Sequence, residues 1–476
     1  MEFLVLINIS ELDVPVALNS TIGVAGTFVF CMQTSAQKIM LKTDRSIAHV
    51  LNSACGCARY AYNWARERWF KKKKAGQESV TCAELRKEFN SEKLDWMYES
   101  PKGSMDQAIK NFCQAKNRHY ENPKQFGFPK RKKYTSRRSF YIENDKARII
   151  DEYTIKLPMI KKPVKLAEPV CRECLDGKIN NYTISRESNG EWYVSIAYSF
   201  DETAIHNKLT GNGIAGYDLG VKTLITKNDG TTYLNEKIFR KHAKALKRYQ
   251  RRMSRRRKGS SKYKRIKKLF NKKNSYVANY RKDAIHKATT EMVRDNMVIA
   301  IEDLNVMGML ANHRLASAIA DCGFGMIRRF LEYKCKKLGT LLLFVDRWFA
   351  SSKTCSGCGG RKADLSLSER EYVCEDCGLV IDRDVNAAIN ILAEALFCEL
   401  KIRFNTDVAR RKFTPADLVA LATSLSGRGE TAEETPQLCG TDAQCILTSD
   451  GRAALVDEFF NRLWNHVANA TVNCYV

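Results

Sequence analysis

Four cysteines carry the sharpest chemical signal in the sequence. Cys355-Ser-Gly-Cys358 is followed, after fifteen residues, by Cys374-Glu-Asp-Cys377. Each pair offers two thiolates from one tight turn, and four thiolates satisfy the tetrahedral preference of Zn²⁺. Gly357, Gly359 and Gly378 supply turn residues, and no histidine lies nearby to compete as a ligand. Such a closed site is structural rather than catalytic. One Zn²⁺ should therefore be a folding requirement for residues 350–380. A further pair, Cys171-Arg-Glu-Cys174, has no partner pair at ribbon spacing and reads as a loop feature.

Three carboxylates form the second constellation. Asp218 follows the apolar run Ile214–Tyr217, and Glu302 ends the run Met297-Val-Ile-Ala-Ile. Asp384 lies just past the cysteine segment, where a helix should begin. Singly, each would be an ordinary turn or cap residue. Together they sit at the ends of elements of one α/β domain, inside a basic chain. That arrangement holds hard divalent cations against a phosphodiester. Mg²⁺ takes a few carboxylate oxygens and completes its shell with waters and phosphate oxygens. Two Mg²⁺ ions, with Mn²⁺ as a substitute, can activate an attacking water and stabilise the leaving oxygen.

The surrounding pattern must position these groups. Thr27–Leu41 reads as a strand, and Thr43–Lys74 as a helix behind a Thr43/Asp44 cap, with Ile47, Leu51, Ala54, Ala58, Ala61 and Ala65 at helical steps. Thr81-Cys-Ala-Glu84 matches a capping box, and Met105, Ile109 and Phe112 extend the helical region. Trp192, Val194, Ile196, Tyr198 and Phe200 then alternate strictly after an Asn189-Gly190 turn, which predicts a hairpin. Gly213–Leu234 holds two further apolar runs, Met297–Glu302 and Thr340–Val345 read as strands, and Gly323–Leu338 as a helix. Strands alternating with helices predict an α/β domain within a multi-domain α+β chain. No internal repeat is present.

Charge decides the partner. The 476 residues hold 79 Lys+Arg against 53 Asp+Glu, a net +26. The first 36 residues contain Glu2, Glu11 and Asp13 and no base, and from Asn405 onward nine acidic residues outweigh six basic ones. All of the excess therefore falls within residues 37–404, which would repel itself without a polyanion. This argues for nucleic acid and against a small-molecule substrate. In the helical stretch Ile238–Asn296, more than half of the residues between Arg240 and Lys273 are Lys or Arg, with few acids in balance. Arg251, Arg252, Arg255, Arg256 and Arg257 are thus expected to face phosphates. In Gln125–Tyr141, Lys130, Arg131, Lys132, Lys133, Arg137 and Arg138 interleave with Phe126, Phe128, Tyr134, Phe140 and Tyr141, which suits backbone and stacking contacts.

Other classes are disfavoured. Met1–Ser10 has no basic start, so no signal peptide is expected, and the polar residues within Val14–Gln37 argue against a membrane span. Seventeen cysteines at irregular spacing fit a reducing compartment. The tail after Asn405, rich in Ser, Thr, Gly and Glu to about Asp450, reads as a mobile extension.

The motifs also resemble a known family. Gly216-Tyr-Asp218-Leu-Gly-Val-Lys-Thr-Leu-Ile225, Ile301-Glu302-Asp-Leu-Asn-Val306 and Asp382-Arg-Asp384-Val-Asn-Ala-Ala-Ile-Asn-Ile391 are similar to the three RuvC motifs of the TnpB (OrfB) proteins of insertion sequences. These proteins are related to compact type V CRISPR effectors and to Fanzor proteins. Gly127-Phe-Pro-Lys130, the basic Arg240–Lys273 region, Tyr280-Arg-Lys-Asp283, the Asp346–Cys355 segment and the cysteine pairs agree, so the resemblance covers about 37–404.

The resemblance implies an RNA-guided DNA endonuclease, in which a transposon-derived guide RNA pairs with one strand of double-stranded target DNA and protein reads a short adjacent motif. A basic channel would hold the RNA–DNA heteroduplex. It further implies an RNase H-like RuvC nuclease domain with a zinc-ribbon insertion, preceded by a wedge-like β-barrel and a helical recognition lobe. The expected boundaries are an extension at 1–36, the barrel at 37–205 with helices at about 43–125, and RuvC motifs I and II at 206–349 with a basic segment at 238–296. The ribbon would occupy 350–380, motif III 381–404 and the tail 405–476. Asp218, Glu302 and Asp384 would be the catalytic metal ligands. Asp384 is preferred to Asp382 because the family ligand directly precedes x-Asn-Ala-Ala.

Three features depart from the family pattern: the first 36 residues, the Cys171/Cys174 pair, and the apolar stretches Leu418–Leu425 and Val456–Val467 in the tail. Two alternatives stay open, a guide-dependent DNA-binding regulator that does not cut and an unguided transposase- or resolvase-like nuclease. The expected location is the cytoplasm or nucleoid of a prokaryote, or a nucleus in a eukaryotic host, where Arg255–Lys258 could serve as a nuclear signal.

Overall fold

The computed structural model describes residues 32–77, 79–134, 138–201, 211–366, 368–405, 410, 413–426 and 449–472. The expectations for residues 1–31, for Arg137 and for most of 406–448 lie outside these residues.

The first sheet is antiparallel and is built mainly from residues before 202. Strand β1 (Met32–Lys42) leads into three helices, α1 (Arg45–Lys74), α2 (Cys82–Ser91) and α3 (Lys102–Glu121). The predicted caps are formed: the Asp44 side chain accepts from the Ile47 amide and Thr81 from the Glu84 amide. Leu51, Ala54, Ala58, Ala61 and Ala65 are buried, so the small-residue stripe of α1 is a packing face. Strands β2 (Arg138–Glu143), β3 (Arg148–Asp151), β4 (Thr154–Lys156) and β5 (Val164–Leu166) follow, then the short helix α4 (Arg172–Asp176). The hairpin β6 (Lys178–Arg186) and β7 (Trp192–Asp201) completes the sheet. Gly190 takes φ +94°, the left-handed conformation that makes glycine the natural residue of this turn. The strand order is β2-β6-β7-β1-β5-β4-β3. β1 pairs with β7 from Met32 to Leu41, so a strand separated from β7 by the three helices becomes its neighbour.

The second sheet has the order β10-β9-β8-β11-β12, from β8 (Gly213–Leu219), β9 (Thr223–Lys227), β10 (Thr232–Leu234), β11 (Asn296–Glu302) and β12 (Leu341–Val345). The first three form an antiparallel meander, whereas β8, β11 and β12 run parallel. This is the RNase H-like arrangement expected. Between β10 and β11 the basic stretch is two helices, α5 (Ile238–Ser254) and α6 (Ser261–Asp295), broken at Arg255–Ser260. Gly259 turns the chain with φ +88°, and Ser260 caps α6 by accepting from the Tyr263 amide. Helices α7 (Val306–Ala311), α8 (Ala316–Cys322) and α9 (Phe324–Leu338) connect β11 to β12.

Alternation along the parallel strands sorts the core into two faces. Ala215, Tyr217, Ile299 and Ile301 pack with Ile285 of α6 and Ile327 and Leu331 of α9. Ile214, Val298, Ala300 and Val345 pack with Ile391, Leu392 and Leu396 of α10 (Arg383–Phe404). A two-stranded ribbon, β13 (Glu371–Val373) and β14 (Val380–Asp382), runs straight into α10.

The expectation of a mobile tail from 405 requires correction. Helices α11 (Pro415–Ser426) and α12 (Ser449–Val472) belong to the α10 face of the core. Leu418, Ala422, Phe460, Leu463 and Val467 are fully buried there, and Phe404 stacks on Trp464 with ring centroids 4.8 Å apart. Each helix presents apolar residues at three- and four-residue steps, so docking recovers apolar area that a mobile tail would leave in water.

Candidate functional site

Sheet register brings two of the three carboxylates side by side. Ile301 pairs with Tyr217 across parallel strands, so the next residues, Glu302 and Asp218, end adjacent strands on one face. Gly216 identifies that face. A Cβ at Gly216 would lie 2.3 Å from the Ala388 carbonyl oxygen and 2.7 Å from Leu392 Cβ, so only glycine lets α10 approach this closely. Asp218 lies two residues beyond Gly216, and Asp384 one helical turn before Ala388. All three carboxylates therefore gather where β8 and β11 end and α10 begins.

Electrostatics reports the same convergence. Burial, and after it the charges of Glu302 and Asp384, together push the Asp218 carboxyl up to about 8, while Arg383 partly opposes them. Burial also raises Glu302, against a lowering hydrogen bond from Ser351. Ser351 Oγ donates to Glu302 Oε1 at 2.5 Å. Asp384 has Arg370 at 3.9 Å, and the neighbouring Asp303 pairs with Arg328 and Arg347. Asp382 is differently employed: its side chain caps α10, accepting from the amides of Asp384 at 2.9 Å and Val385 at 3.1 Å. Among the described residues neither Asp218 nor Glu302 has a basic ion-pair partner. Clustered like charges with a raised carboxyl are what a hard cation neutralises, so the donor set suits Mg²⁺. The carboxylate oxygens do not all come within 4.8 Å of one another, as the cysteine sulfurs do.

The four thiols fit a structural zinc site. Their sulfurs all lie within 4.8 Å of one another, with Cys355–Cys377 and Cys358–Cys374 each at 3.6 Å. Tetrahedral zinc thiolate bonds would set that edge at about 3.8 Å. The amides of Gly359 and Gly378 close each knuckle, donating to the Cys355 and Cys374 carbonyls at 2.9 and 3.1 Å. By contrast, Cys171 and Cys174 gather no third metal-ligating side chain among the described residues. The expected loop is corrected here: Cys174 is buried within the short helix α4 and Cys171 stands at its N-cap, with its sulfur 3.3 Å from the Tyr198 hydroxyl.

Comparison with known proteins follows the same motifs. A family described as "OrfB_IS605: Probable transposase" matches residues 195–313, and one described as "Cas12f1-like, TNB domain" matches 324–391. A Streptomyces pristinaespiralis protein, named as a candidate RNA-guided DNA endonuclease, is 34% identical over 367 residues, covering 74% of this chain and 87% of that protein. The chain belongs to the TnpB (OrfB) family. The Escherichia coli relative InsQ, named likewise, is 29% identical over 360 residues, 71% of this chain and 86% of its own. A Cas12f1–guide RNA–target DNA complex solved by cryo-EM is 15% identical, covers 76% of this chain and 99% of its own, and has a TM-score of 0.46.

The basic residues of this TnpB-family chain divide into two kinds. Arg251, Arg252, Arg255, Arg256 and Arg257 are exposed at the end of α5 and in the turn after it. None has an ion-pair partner among the described residues. In the other segment, Lys130 and Lys133 are exposed, and Arg131 pairs with Glu67 at 3.2 Å. Lys132 and Arg138 are held by the fold instead. Lys132 sits 4.1 Å over the Tyr62 ring, burial holds its ammonium below the usual lysine range, and its backbone is clasped by Asn63 at 2.8 and 3.0 Å. Arg138 donates to Asn52 at 2.7 Å and stacks on Tyr134 at 4.1 Å.

These side chains help to line a cavity of about 300 Å³ between α1, α3 and the β2/β6 edge. Arg59, Gln107 and Asn111 also face it, and sequence reading did not single them out. Nor did it identify Ser351, Asn386 and Asn390. Asn386 and Asn390 share one helix face four residues apart, a signal that was present but ambiguous between surface and core.

Proposed function

We propose that this protein is an RNA-guided DNA endonuclease that hydrolyses target phosphodiesters at Asp218, Glu302 and Asp384. The single observation that carries the reading is the raised Asp218 carboxyl, pushed up by burial and then by the charges of Glu302 and Asp384. A buried carboxyl flanked by two further carboxylates favours a bound cation. When bound, two Mg²⁺ ions would supply an activated water and charge neutralisation at the scissile phosphate.

The chain's own residues do the rest. Asp218, Glu302 and Asp384 would hold the cations from three elements, and Ser351 fixes one Glu302 oxygen. Asp382 orders the first turn of α10 and so aims Asp384. Arg251, Arg252, Arg255, Arg256 and Arg257 offer unpaired charge to a heteroduplex backbone. The cavity holding Arg59, Gln107 and Asn111 combines positive charge with amides able to read base edges, which suits recognition of the adjacent DNA motif. One Zn²⁺ on Cys355, Cys358, Cys374 and Cys377 would stabilise the ribbon. Among the described residues no helix is long and apolar enough to cross a membrane.

The names of the relatives support guided cleavage of DNA, and one family description favours an unguided transposition factor. Sequencing the RNA that accompanies protein expressed with its native flanking DNA separates these readings. A single discrete RNA with a structured body and a variable end is expected. A random RNA mixture would support the unguided nuclease.

A further inference from the structure

We infer that Ser351 is a positioning residue for Glu302, and that the root of the cysteine ribbon and the nuclease carboxylates form one mechanical unit through it. The inference rests on the metal-site reading above. Its basis is a chain of polar contacts that runs from α10 through the segment before the ribbon to Glu302.

Glu302 is the longest and most rotatable of the three carboxylates. Among the described residues its carboxylate has one hydrogen-bond donor, the Ser351 hydroxyl at 2.5 Å. That bond ties Oε1 and leaves the second oxygen without a protein donor, available to a cation. Ser351 is itself 6% exposed and sits in a segment with no regular structure. Its position therefore depends on what holds that segment.

Two asparagines of α10 hold it. Asn390, 1% exposed, donates through Nδ2 to the carbonyls of Ser351 at 2.8 Å and Thr354 at 2.7 Å. Asn386, fully buried, donates to the Thr354 carbonyl at 2.7 Å and accepts from the Ser356 amide at 2.9 Å. The segment they clasp runs from Ser351 to Ser356 and so includes Cys355, the first thiol of the ribbon. The helix that carries them has Asp384 in its first turn. One clamp thus spaces Glu302 from Asp384 and anchors the ribbon at the same point. A buried amide donor left unpaired is costly, so the bonds given by Asn386 and Asn390 Nδ2 favour this arrangement, while Asn390 Oδ1 has no partner among the described residues.

A residue that orients a metal ligand typically changes metal affinity about 10–100-fold when removed. The test compares Ser351→Thr with Ser351→Val, which have the same shape but differ in the hydroxyl. Mn²⁺ binding to the zinc-loaded chain is measured by calorimetry without DNA, so that turnover plays no part. Ser351→Thr should keep near wild-type affinity, and Ser351→Val should weaken it about tenfold. The Mg²⁺ concentration for half-maximal cleavage should rise in parallel, with guide and target binding unchanged. Asn390→Ala should weaken Mn²⁺ binding in the same direction while zinc content stays at one per chain. Asp218→Ala serves as the reference for the site itself. If Asp218→Ala weakens Mn²⁺ binding but Val and Thr at 351 behave alike, the role of Ser351 is overturned. If Asp218→Ala leaves Mn²⁺ binding intact, the metal-site reading falls, and the inference with it.

Discussion

Gly216 and Ala388 are in backbone contact: a Cβ on Gly216 would lie 2.3 Å from the Ala388 carbonyl oxygen. This single approach sets how far α10, and with it Asp384, stands from Asp218. Gly216→Ala must push the helix outward. The expected cost is on the order of 1–3 kcal/mol of stability, as for overpacked cores. Cleavage should fall further than stability, because the ligand spacing changes. Denaturant melts beside Mg²⁺-dependent cleavage rates check both parts.

Asp218 predicts a pH dependence. Its folded-state carboxyl is raised to about 8 from an ordinary value of 3.8. Between those values the folded state holds a proton that the unfolded state has lost, so stability falls as pH rises through this window. In magnesium-free buffer the melting temperature should decline from pH 5 to pH 9, and Asp218→Asn should flatten the decline. Added Mg²⁺ should restore stability to the wild type at high pH and not to the variant. An unchanged slope in Asp218→Asn would remove the electrostatic argument.

The ribbon has too small a core to hold itself. Its buried cluster is Cys355, Tyr372 and Cys374, with Leu365, Leu379 and Ile381 packed against them. Cys374→Ser should therefore lose zinc from one per chain towards none and open residues 355–380 to proteolysis. Elemental analysis and limited digestion read the two effects separately. The first sheet, with its own core around Trp192 and Ile196, should stay folded.

Lys132 and the α5 arginines should respond differently to charge removal. Replacing Arg251, Arg252, Arg255, Arg256 and Arg257 with alanine should flatten the salt dependence of nucleic-acid binding, by up to about 0.7–0.9 in slope per lost phosphate contact. Lys132→Ala should leave that slope nearly unchanged and lower thermal stability instead, because its ammonium covers the Tyr62 ring. Equal slope changes for both variants would contradict the division.

What was legible in the sequence was local. The α1 stripe, the Asp44 and Thr81 caps, the Asn189-Gly190 hairpin, the parallel strands before Asp218 and Glu302, and the cysteine spacing all follow from short-range patterns. What was missed depends on contacts far apart in the chain. Ser351 meets Glu302 across 49 positions, and Asn386 meets Ser356 across 30. A serine in a loop and an asparagine in a helix look the same whether buried or exposed. Lys132 is a case of the same kind: a lysine in a basic run gives no sign that an aromatic ring lies beneath it. In the tail the apolar stretches of α11 and α12 were visible, but the polar stretch before Asp450 gave no sign that they dock on α10.

The most direct test of the central claim is cleavage of a matched double-stranded target by the purified guide complex, comparing the wild type with Asp218→Ala. The wild type should cut only with Mg²⁺ and a matching guide. Asp218→Ala should bind guide and target equally well and leave the DNA intact. Cleavage retained in Asp218→Ala would contradict the assignment of the nuclease site.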